Sequence, residues 1–401
     1  MTTMIDNEQK TLNVPNLRFP EFEGEWEKKR LGDFTERVKR KNKYNLSKLP
    51  LTISAKYGLV DQITFFNKIV ASTDMSNYYL LKKGEFAYNK SYSNDYPWGA
   101  IKRLDNYEQG VLSALYICFA TQDNVESDFI LQYFESPKWH KSVSEIAVEG
   151  ARNHGLLNIS VQDFFQTYHY VPKEKKEQTK IATLLHLIDE RISTQNKIIE
   201  DLKKLRSAII EREYTFKVQT HSHLGDFIEQ NSNRNKDNII QNVLSVSNRQ
   251  GFIRQKEQFE DRSIASDDTS NYKIVARNDF AFNPARINVG SIARLTTFEK
   301  GIVSPMYICF HTKNSILPEY LSFYFETKQF FSEIQKRLEG SVRQCLSYEG
   351  LCNIPLFPPV IEEQRRIGKR LFTLVQKFNL EMTFLEMLQK QKTYLLRQMF
   401  I

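Results

Sequence analysis

Two long stretches of the chain repeat apolar residues at the spacing of an α-helix. In the first stretch, from Lys175 to about Phe216, the apolar positions are Ile181, Leu185, Ile188, Ile192, Ile199, Leu202 and Ile209. An offset of 186 residues places the second series at Ile367, Leu371, Leu374, Phe378, Leu385, Leu388 and Leu395. Two polar interruptions also coincide, Gln195 with Glu381 and Arg206 with Lys392. Steps of three, four and seven are typical of a coiled-coil seam. The pattern predicts two helices of about 60 Å that pack against each other.

The segments before each long helix have a different pattern, with short β-branched and aromatic runs bounded by glycine. Examples are "GEFAYN", "GAIKRL" and "GVLSALYICF" in the first half, and "GSIARL" and "GIVSPMYICF" in the second. These runs predict β-strands. The segments "DFILQYFESPKWHKSVSEI" and "EYLSFYFETKQFFSEIQKRL" have helical spacing of apolar residues. Each half of the chain is therefore predicted to contain an α+β domain followed by a long helix.

A repeat runs through nearly the whole sequence. "SNYYLLKKGEFAYN" at 76–89 recurs as "SNYKIVARNDFAFN" at 270–283, and both "LGDF" and "YICF" occur once in each half. Two copies of one structural plan are predicted, each an α+β domain followed by a long helix. The predicted boundaries are 1–172 and 219–357 for the two α+β domains, and 173–218 and 358–401 for the helices.

The segments that match least lie between the matching strands, three in each copy. They are rich in Arg, Lys, Asn, Gln, Ser and Tyr, the residue types that contact base edges and phosphates in DNA. Solvation alone would explain one polar loop, but not divergence at the same three positions in both copies. The sequence predicts DNA-contacting residues in these loops. In the first copy they are Lys56, Tyr57, Lys90, Ser91, Tyr92, Arg152, Asn153 and His154. In the second copy they are Asn248, Arg249, Gln250, Arg286, Asn288, Arg343 and Gln344. Trp98 and Tyr96 are instead expected to pack on the domain surface.

Composition adds a modest electrostatic argument. The 401 residues include 56 basic and 48 acidic ones, a formal charge of +8, which makes a polyanionic partner plausible. The four cysteines have no metal-binding spacing and are predicted to be core thiols in a reducing compartment. No apolar run is long enough to span a membrane, and no secretory signal is recognisable at the start. A cytoplasmic protein is predicted.

Catalytic signatures are scarce. "NPAR" at 283–286 lacks the second proline and the aromatic residue of an amino-methyltransferase motif, and no phosphate-binding glycine loop of the P-loop type is present. The seven histidines form no metal-ligating constellation. The chain is therefore predicted to have no active site and to bind no metal or cofactor of its own.

The order and duplication of these segments resemble the specificity (S) subunit of a bacterial Type I restriction–modification system. "NVPNLRFPEFEGEWEKKRLGDF" near the N-terminus is similar to the opening of such subunits, and "LLHLIDERI" in the first long helix has the usual Leu-Asp run. The second long helix departs from it, because "LFTLVQKFN" places Val375 where the first helix has Asp189.

The resemblance implies a specific division of labour. Each α+β domain would be a target recognition domain that reads one half of a bipartite, asymmetric site in double-stranded DNA. The chain would be pseudo-twofold, with the two long helices packed as an antiparallel coiled coil. The helices would space the domains and dock two modification (methyltransferase) subunits, with restriction subunits in the full complex. S-adenosylmethionine, ATP and Mg would belong to those partners, and this chain would not be an enzyme.

Two alternatives remain open from the residues alone. The chain could be a coiled-coil scaffold for protein interactions without DNA specificity. It could also be a methyltransferase or nuclease, which the missing motifs argue against. Steep weakening of DNA binding by salt would separate the first alternative from DNA recognition.

Overall fold

The computed structural model describes residues 12–54, 57–93, 96–147, 156–215, 222–248, 250–258, 268–340 and 344–401. The chain forms two compact units. Unit 1 comprises Met1–Gln195 and Phe384–Ile401, and unit 2 comprises Asn196–Thr383. Each unit therefore combines one α+β domain with a part of both long helices.

Unit 1 contains ten strands and six helices within its described residues, the last helix continuing into unit 2. The strands are β1 Glu27–Arg30, β2 Thr35–Arg37, β3 Leu51–Ser54, β4 Gly58–Asp61, β5 Tyr79–Lys82, β6 Phe86–Asn89, β7 Ala100–Arg103, β8 Gln109–Leu112, β9 Ile117–Thr121 and β10 Tyr168–Val171. The helices are α1 Leu31–Phe34, α2 Gln62–Phe66, α3 Ser127–Glu135, α4 His140–Ile146, α5 Val161–Gln166 and α6 Lys175–Glu213.

Unit 2 repeats this plan. Its strands are β11 Ile228–Asn231, β12 Val243–Ser247, β13 Gly251–Arg254, β14 Lys273–Ala276, β15 Phe280–Phe282, β16 Ile292–Arg294, β17 Lys300–Val303 and β18 Ile308–Thr312. Its helices are α7 Gln255–Gln258, α8 Pro318–Tyr324, α9 Lys328–Gln335, α10 Tyr348–Cys352 and α11 Ile361–Gln398, the last of which ends in unit 1.

Equivalent antiparallel sheets form the centre of the two domains. The strand order is β2-β9-β6-β7 in unit 1 and β11-β18-β15-β16 in unit 2. Alternating apolar residues place Phe86 and Phe119 on the buried face in unit 1, with stacked rings 5.3 Å apart, and Phe280 and Phe310 in unit 2, 5.2 Å apart. The predicted α+β class is confirmed, and the two copies share the same core.

The helical runs that follow β9 and β18 differ from the expectation. Each run forms two short helices, α3 and α4 in unit 1 and α8 and α9 in unit 2. In unit 1, Ser136 and Pro137 separate the helices, since proline disfavours helical geometry in the residue before it. In unit 2, the Thr327 side chain accepts from the Phe330 backbone N–H and starts a new helix.

The two long helices pack against each other inside each unit. In unit 1, Ile181, Leu185 and Ile188 of α6 share a core with Leu395 and Leu396 of α11. In unit 2, Ile210 of α6 shares a core with Ile367 and Leu371 of α11. The start of α6 thus meets the end of α11, and the end of α6 meets the start of α11. The apolar seam predicted that the helices pack together, and the pairing is antiparallel, as the resemblance implied.

A buried glutamine near the start of each long helix joins that helix to its domain. Gln178 accepts from the backbone N–H of Glu126 at the start of α3 (2.8 Å) and donates to the Pro172 carbonyl (2.9 Å). Gln364 likewise accepts from the Leu317 N–H at the start of α8 (2.8 Å) and donates to the Pro359 carbonyl (2.8 Å). Both glutamines are only 1% exposed. The same joint therefore fixes the long helix against the domain in both units.

Asp189 of α6 adds a polar cluster that unit 2 does not repeat. Its carboxylate accepts from the Lys392 ammonium (2.5 Å) and from the Gln132 amide (3.0 Å). The equivalent residue in α11 is Val375, and Arg206, which corresponds to Lys392, instead donates to Glu326 (2.6 Å). The replacement of Asp by Val at this position thus changes the partner of the cation. Lys392 pairs with Asp189 of the other long helix, whereas Arg206 pairs with Glu326 of the α+β domain.

Replacing the buried Gln364 with alanine should destabilise unit 2 by about 3 kcal/mol. Three partly buried backbone groups, the Leu317 N–H and the Ser315 and Pro359 carbonyls, would lose their hydrogen-bond partner. The exposed Gln376 of the same helix is the matched control, and its alanine variant should change the unfolding free energy by less than about 0.5 kcal/mol. Urea denaturation of the whole chain measures both. Equal stability of the two variants would show that the Gln364 hydrogen bonds between α11 and the domain contribute little to the stability of unit 2.

The buried His169 should make unit 1 sensitive to acid. Thr167 donates its hydroxyl to the Phe164 carbonyl (2.7 Å), so it accepts from His169 Nε2–H (2.8 Å). Nδ1 then accepts from the Tyr133 hydroxyl (2.7 Å). Burial lowers the pKa of His169 to about 3. The unfolded chain takes up this proton below its ordinary pKa near 6.5 whereas the folded chain does not, so stability is complete above that pH and falls as pH decreases towards 3.

At pH 5 the loss from His169 alone should reach about 2 kcal/mol relative to pH 7.5. His169→Gln can keep one donor and one acceptor without titrating, so its unfolding free energy should depend less on pH. Urea denaturation at the two pH values tests this expectation. Identical pH dependence in the variant and the wild type would contradict it. Unit 2 offers an internal comparison, since Tyr324 donates to the Pro355 carbonyl at the equivalent place.

Candidate nucleic-acid interface

The central strand of each domain opens into a variable loop through the same asparagine turn. Asn89 ends β6, and its side-chain oxygen accepts from the Ser91 backbone N–H (3.0 Å). Asn283 follows β15, and its side-chain oxygen accepts from the Ala285 N–H (3.1 Å). Such turns reverse the chain with local hydrogen bonds only. The asparagine of "NPAR" therefore begins a loop, which gives it a structural role.

A glycine closes each of these loops. Gly99 and Gly290 have φ values of +78° and +89°, a backbone conformation that other residues rarely adopt. Gly99 also lies close to the loop entrance, because a Cβ built on it would be 2.1 Å from the Asn89 carbonyl oxygen. Asparagine and glycine thus fix both ends of a loop whose intervening side chains differ between the copies.

In unit 2, the three variable loops are joined to one another. Asn248 of the loop after β12 donates to the Val289 carbonyl (3.3 Å) in the loop after β15. The Leu346 backbone N–H, in the third loop, donates to the Pro284 carbonyl (3.0 Å). The structure therefore brings together the three segments that the sequence separates by almost one hundred residues.

In unit 1, the second and third loops are joined by backbone pairing. Ser91 forms a β-bridge with Leu156, and the Leu157 N–H donates to the Lys90 carbonyl (2.9 Å). The Lys90 ammonium donates to the Ile159 carbonyl (3.2 Å). Lys90 thus contributes to holding the loops together, and it is partly buried.

Arg286 has the most exposed charge among the predicted residues that the structure describes. Its backbone N–H donates to the Asn283 carbonyl (3.0 Å), and its carbonyl accepts from Val289 (3.2 Å) and Ser291 (3.1 Å). The adjacent Ile287 is 1% exposed and anchors the loop in the core. Within the described part of the chain, no hydrogen bond or ion pair holds the guanidinium. The backbone is fixed while the charged group remains available to a ligand.

The remaining predicted residues divide into three groups. Those exposed on the described loops are Tyr57, Ser91, Tyr92, Asn248, Gln250 and Gln344. Asn288 is partly buried in the loop that carries Arg286. Those outside the described residues are Lys56, Arg152, Asn153, His154, Arg249 and Arg343. Contact with DNA stays a prediction for all of them.

The two aromatic residues near the second loop of unit 1 lie at the domain surface. Trp98 is partly buried and packs against the unit 1 core, as expected. Tyr96 lines a small cavity of about 240 Å³ together with Trp139, His140 and Arg397. Sequence reasoning did not single out Asn89, Asn283, Gly99 or Gly290, although their recurrence on both sides of the most divergent segment was a signal for the loop framework.

The strongly perturbed titratable groups of both units are core residues. Burial raises the pKa of the Cys118 and Cys309 thiols to about 12, so these central-strand cysteines are inert, in agreement with the predicted core thiols. Cys345 and Cys352 are only partly buried. Across the described residues, no group of three His, Cys, Asp or Glu side chains is placed to hold a metal ion, and no helix is long and apolar enough to cross a membrane.

Solved structures share this arrangement over almost the entire chain. The S subunit of a Type I restriction-modification system from M. genitalium superposes with a TM-score of 0.57 at 17% identity, covering 97% of this chain and 99% of that one. This chain has the Type I S-subunit fold. A second structure, described as the structural basis of complex assembly and conformational transition of the type I R-M system, gives a TM-score of 0.53 at 16% identity. That match covers 92% of this chain and 96% of the other.

No protein-family model matches the sequence, and no curated protein does.

The S-subunit fold thus agrees with the resemblance found in the sequence. The likeness is one of architecture, since fewer than one residue in five is identical. In this chain the fold joins three variable loops in unit 2 and at least the second and third in unit 1, and both units contain a part of two antiparallel helices.

Gly99→Ala should destabilise unit 1 by at least about 2 kcal/mol, because the new Cβ meets a carbonyl oxygen in addition to the cost of a left-handed alanine. Gly84→Ala is the matched control, since Gly84 also has a positive φ of +87° but no atom lies within 4 Å of a built Cβ. That variant should lose about 1 kcal/mol. Urea denaturation measures both, and similar losses would contradict the close contact at the loop entrance.

Proposed function

We propose that this chain is the non-catalytic DNA sequence-recognition subunit of a Type I restriction–modification complex. Each α+β domain reads one half of a bipartite, asymmetric site. The observation that carries the proposal is the loop arrangement: segments that diverge between the copies are held together by a framework that does not diverge. A framework common to both domains, with different exposed side chains, fits two readers with different base preferences.

The chemistry of the exposed loop residues fits direct base readout. Arginine can form two hydrogen bonds with guanine, and asparagine or glutamine can do so with adenine. In unit 2, Arg286, Asn248, Gln250 and Gln344 supply these groups. In unit 1, the described loops expose Tyr57, Ser91 and Tyr92 instead. The two domains therefore read different bases.

The paired helices offer a surface for partner subunits. In unit 1, a groove of about 650 Å³ is lined by Leu184, Leu187 and Ile188 of α6 and by Phe384 and Leu388 of α11. Leu187 is 51% exposed, so the groove presents apolar surface to solvent. An apolar groove between two helices fits a further amphipathic helix. Modification subunits dock here, and S-adenosylmethionine, ATP and Mg belong to the partner subunits.

The alternative function is a scaffold that binds proteins through the same groove and has no DNA specificity. Both functions predict that partners bind the helices. Only the recognition subunit predicts that substitutions in the loops change which DNA sequence is methylated while partner binding stays intact.

The experiment combines the purified chain with its modification subunits and follows adenine methylation by sequencing the methylated DNA. The complex should methylate one bipartite asymmetric site, and neither component should do so alone. Arg286→Ala should relax one position in one half-site at a cost of about 1–3 kcal/mol and leave the other half-site unchanged. Tyr57→Ala is the matched loop variant in unit 1 and should affect only the opposite half.

Arg277→Ala serves as the control for a surface arginine of unit 2, since Arg277 forms an exposed ion pair with Glu299 and lies outside the variable loops. It should leave the methylated sequence unchanged. Methylation by the isolated chain would overturn the non-catalytic assignment. A change in both half-sites upon Arg286→Ala would overturn the model of one reader per domain, and unchanged specificity in all loop variants would favour the scaffold.

A further inference from the structure

A turn outside the six variable loops has the same construction in both units. In unit 1, the side chain of Asn42 donates to the Ser47 carbonyl (2.9 Å) and accepts from the Ser47 N–H (2.9 Å). In unit 2, Asn235 donates to the Ile240 carbonyl (3.0 Å) and accepts from the Ile240 N–H (3.1 Å). We name residues 42–47 the Asn42 turn and residues 235–240 the Asn235 turn. Both asparagines are nearly fully buried, so each closes its turn from inside the domain.

The closed turn holds its tip in an unfavourable conformation. Tyr44 and Asn45 have φ values of +61° and +51°, and Asn238 at the equivalent place in unit 2 has +52°. A tyrosine rarely adopts this conformation, and such strain persists only where surrounding structure enforces it. The Tyr44 side chain is 94% exposed, so its own packing does not explain the geometry. The turn fixes the tip of unit 1 with its aromatic ring in solvent.

The charges around the two turns differ sharply. Residues 36–48 contain six basic residues and one acidic residue, whereas the equivalent residues 229–241 contain two of each. Of the six, Arg40 is ion-paired with Glu85 (2.6 Å). Lys39, Lys43 and Lys48 are exposed, and among the described residues no hydrogen bond or ion pair engages their ammonium groups. Unit 1 alone therefore has a concentrated and uncompensated positive patch at this turn.

The patch follows β2, a strand of the central sheet that runs in the same direction as β6. β2 is antiparallel to β9, and β9 is antiparallel to β6, so β2 and β6 run in the same direction. β6 opens into the second variable loop through Asn89. Arg37, the last residue of β2, is level with Phe119 and through it with Phe86, the first residue of β6. The chain therefore leaves β2 about three residues, ~10 Å, before the point where β6 enters that loop. A polyanion held by the loops would pass near the patch.

We propose that Lys39, Lys43 and Lys48, presented by the Asn42 turn, bind the phosphate backbone of double-stranded DNA. The site rests on the proposed function and adds a contact that carries no sequence information. Lysine ammonium groups are point charges suited to phosphate oxygens, and the Tyr44 hydroxyl is a further donor at the tip. Unit 1 is then the electrostatic anchor of the protein on DNA, and unit 2, with Asp237 at the position of Tyr44, is not.

The test measures DNA affinity of the assembled complex, this chain with its modification subunits, over a series of KCl concentrations. The probes are a duplex containing the methylated site and a duplex lacking it. Each phosphate contact contributes about 0.9 to the slope of log affinity against log salt. A variant with Lys39, Lys43 and Lys48 all changed to alanine should reduce the magnitude of that negative slope by about 2–3. It should weaken binding of both duplexes by the same factor.

Four single variants sharpen the comparison. Tyr44→Asp copies unit 2 into unit 1 and should also weaken both duplexes. Lys236→Ala at the Asn235 turn should change the slope by less than half as much as Lys43→Ala. Lys83→Ala, at an exposed lysine paired with Glu108, should leave the slope unchanged.

Two results would overturn the proposal: an unchanged salt slope in the triple variant, or a loss confined to one base position of the specific duplex. Either result is distinct from failure of the proposed function, in which the wild-type complex itself would show no preference for any site.

Discussion

The buried glutamine at the start of each long helix is the contact on which the rest of the structure depends. Gln178 and Gln364 are each surrounded by protein and use both ends of their amide. Leaving a buried amide or its backbone partners unpaired would cost several kcal/mol, so helix and domain can meet in only one geometry. Because α3 and α8 lie on the central sheets, the same contact fixes the variable loops relative to the long helix within each unit.

The two units also show how a shared framework accommodates different polar chemistry. In unit 1, a carboxylate at Asp189 connects α6 to α11 and to the domain through Lys392 and Gln132. In unit 2, the equivalent positions combine Val375 with Phe323, and Arg206 lies 5.6 Å from the Phe323 ring while pairing with Glu326. Removing one acid would have left a partly buried cation without a partner, and the domain supplies a new one. The helix pairing survives because its apolar seam is unchanged.

Much of this architecture was predictable because it rests on periodicity. The seam residues such as Ile181 and Ile367 are buried as predicted, and the short apolar runs that contain Phe86 and Phe280 form strands whose successive apolar residues are all buried. The break between α3 and α4 was less accessible, since local apolar spacing continues across it. The roles of Asn42 and Gln178 could not be predicted at all. A buried amide is defined by partners far away in sequence, and no local pattern marks it as buried.

In the candidate site, too, the sequence predicted some features and not others. Sequence divergence located the loops, but it could not distinguish a side chain that supports a loop from one that faces a ligand. Lys90 and Arg286 are both basic residues of the loop after the central strand, one and three residues beyond its asparagine. Lys90 nevertheless donates to Ile159, whereas no hydrogen bond or ion pair among the described residues holds the Arg286 guanidinium. Substitutions at an exposed side chain such as Arg286 change stability by only about 0.5 kcal/mol, whereas changes at Asn283 or Gly290 disturb the fold itself. Because the framework is separate from the exposed loop side chains, the side chains of each loop can change without refolding the domain, which is what the divergence between the two copies shows.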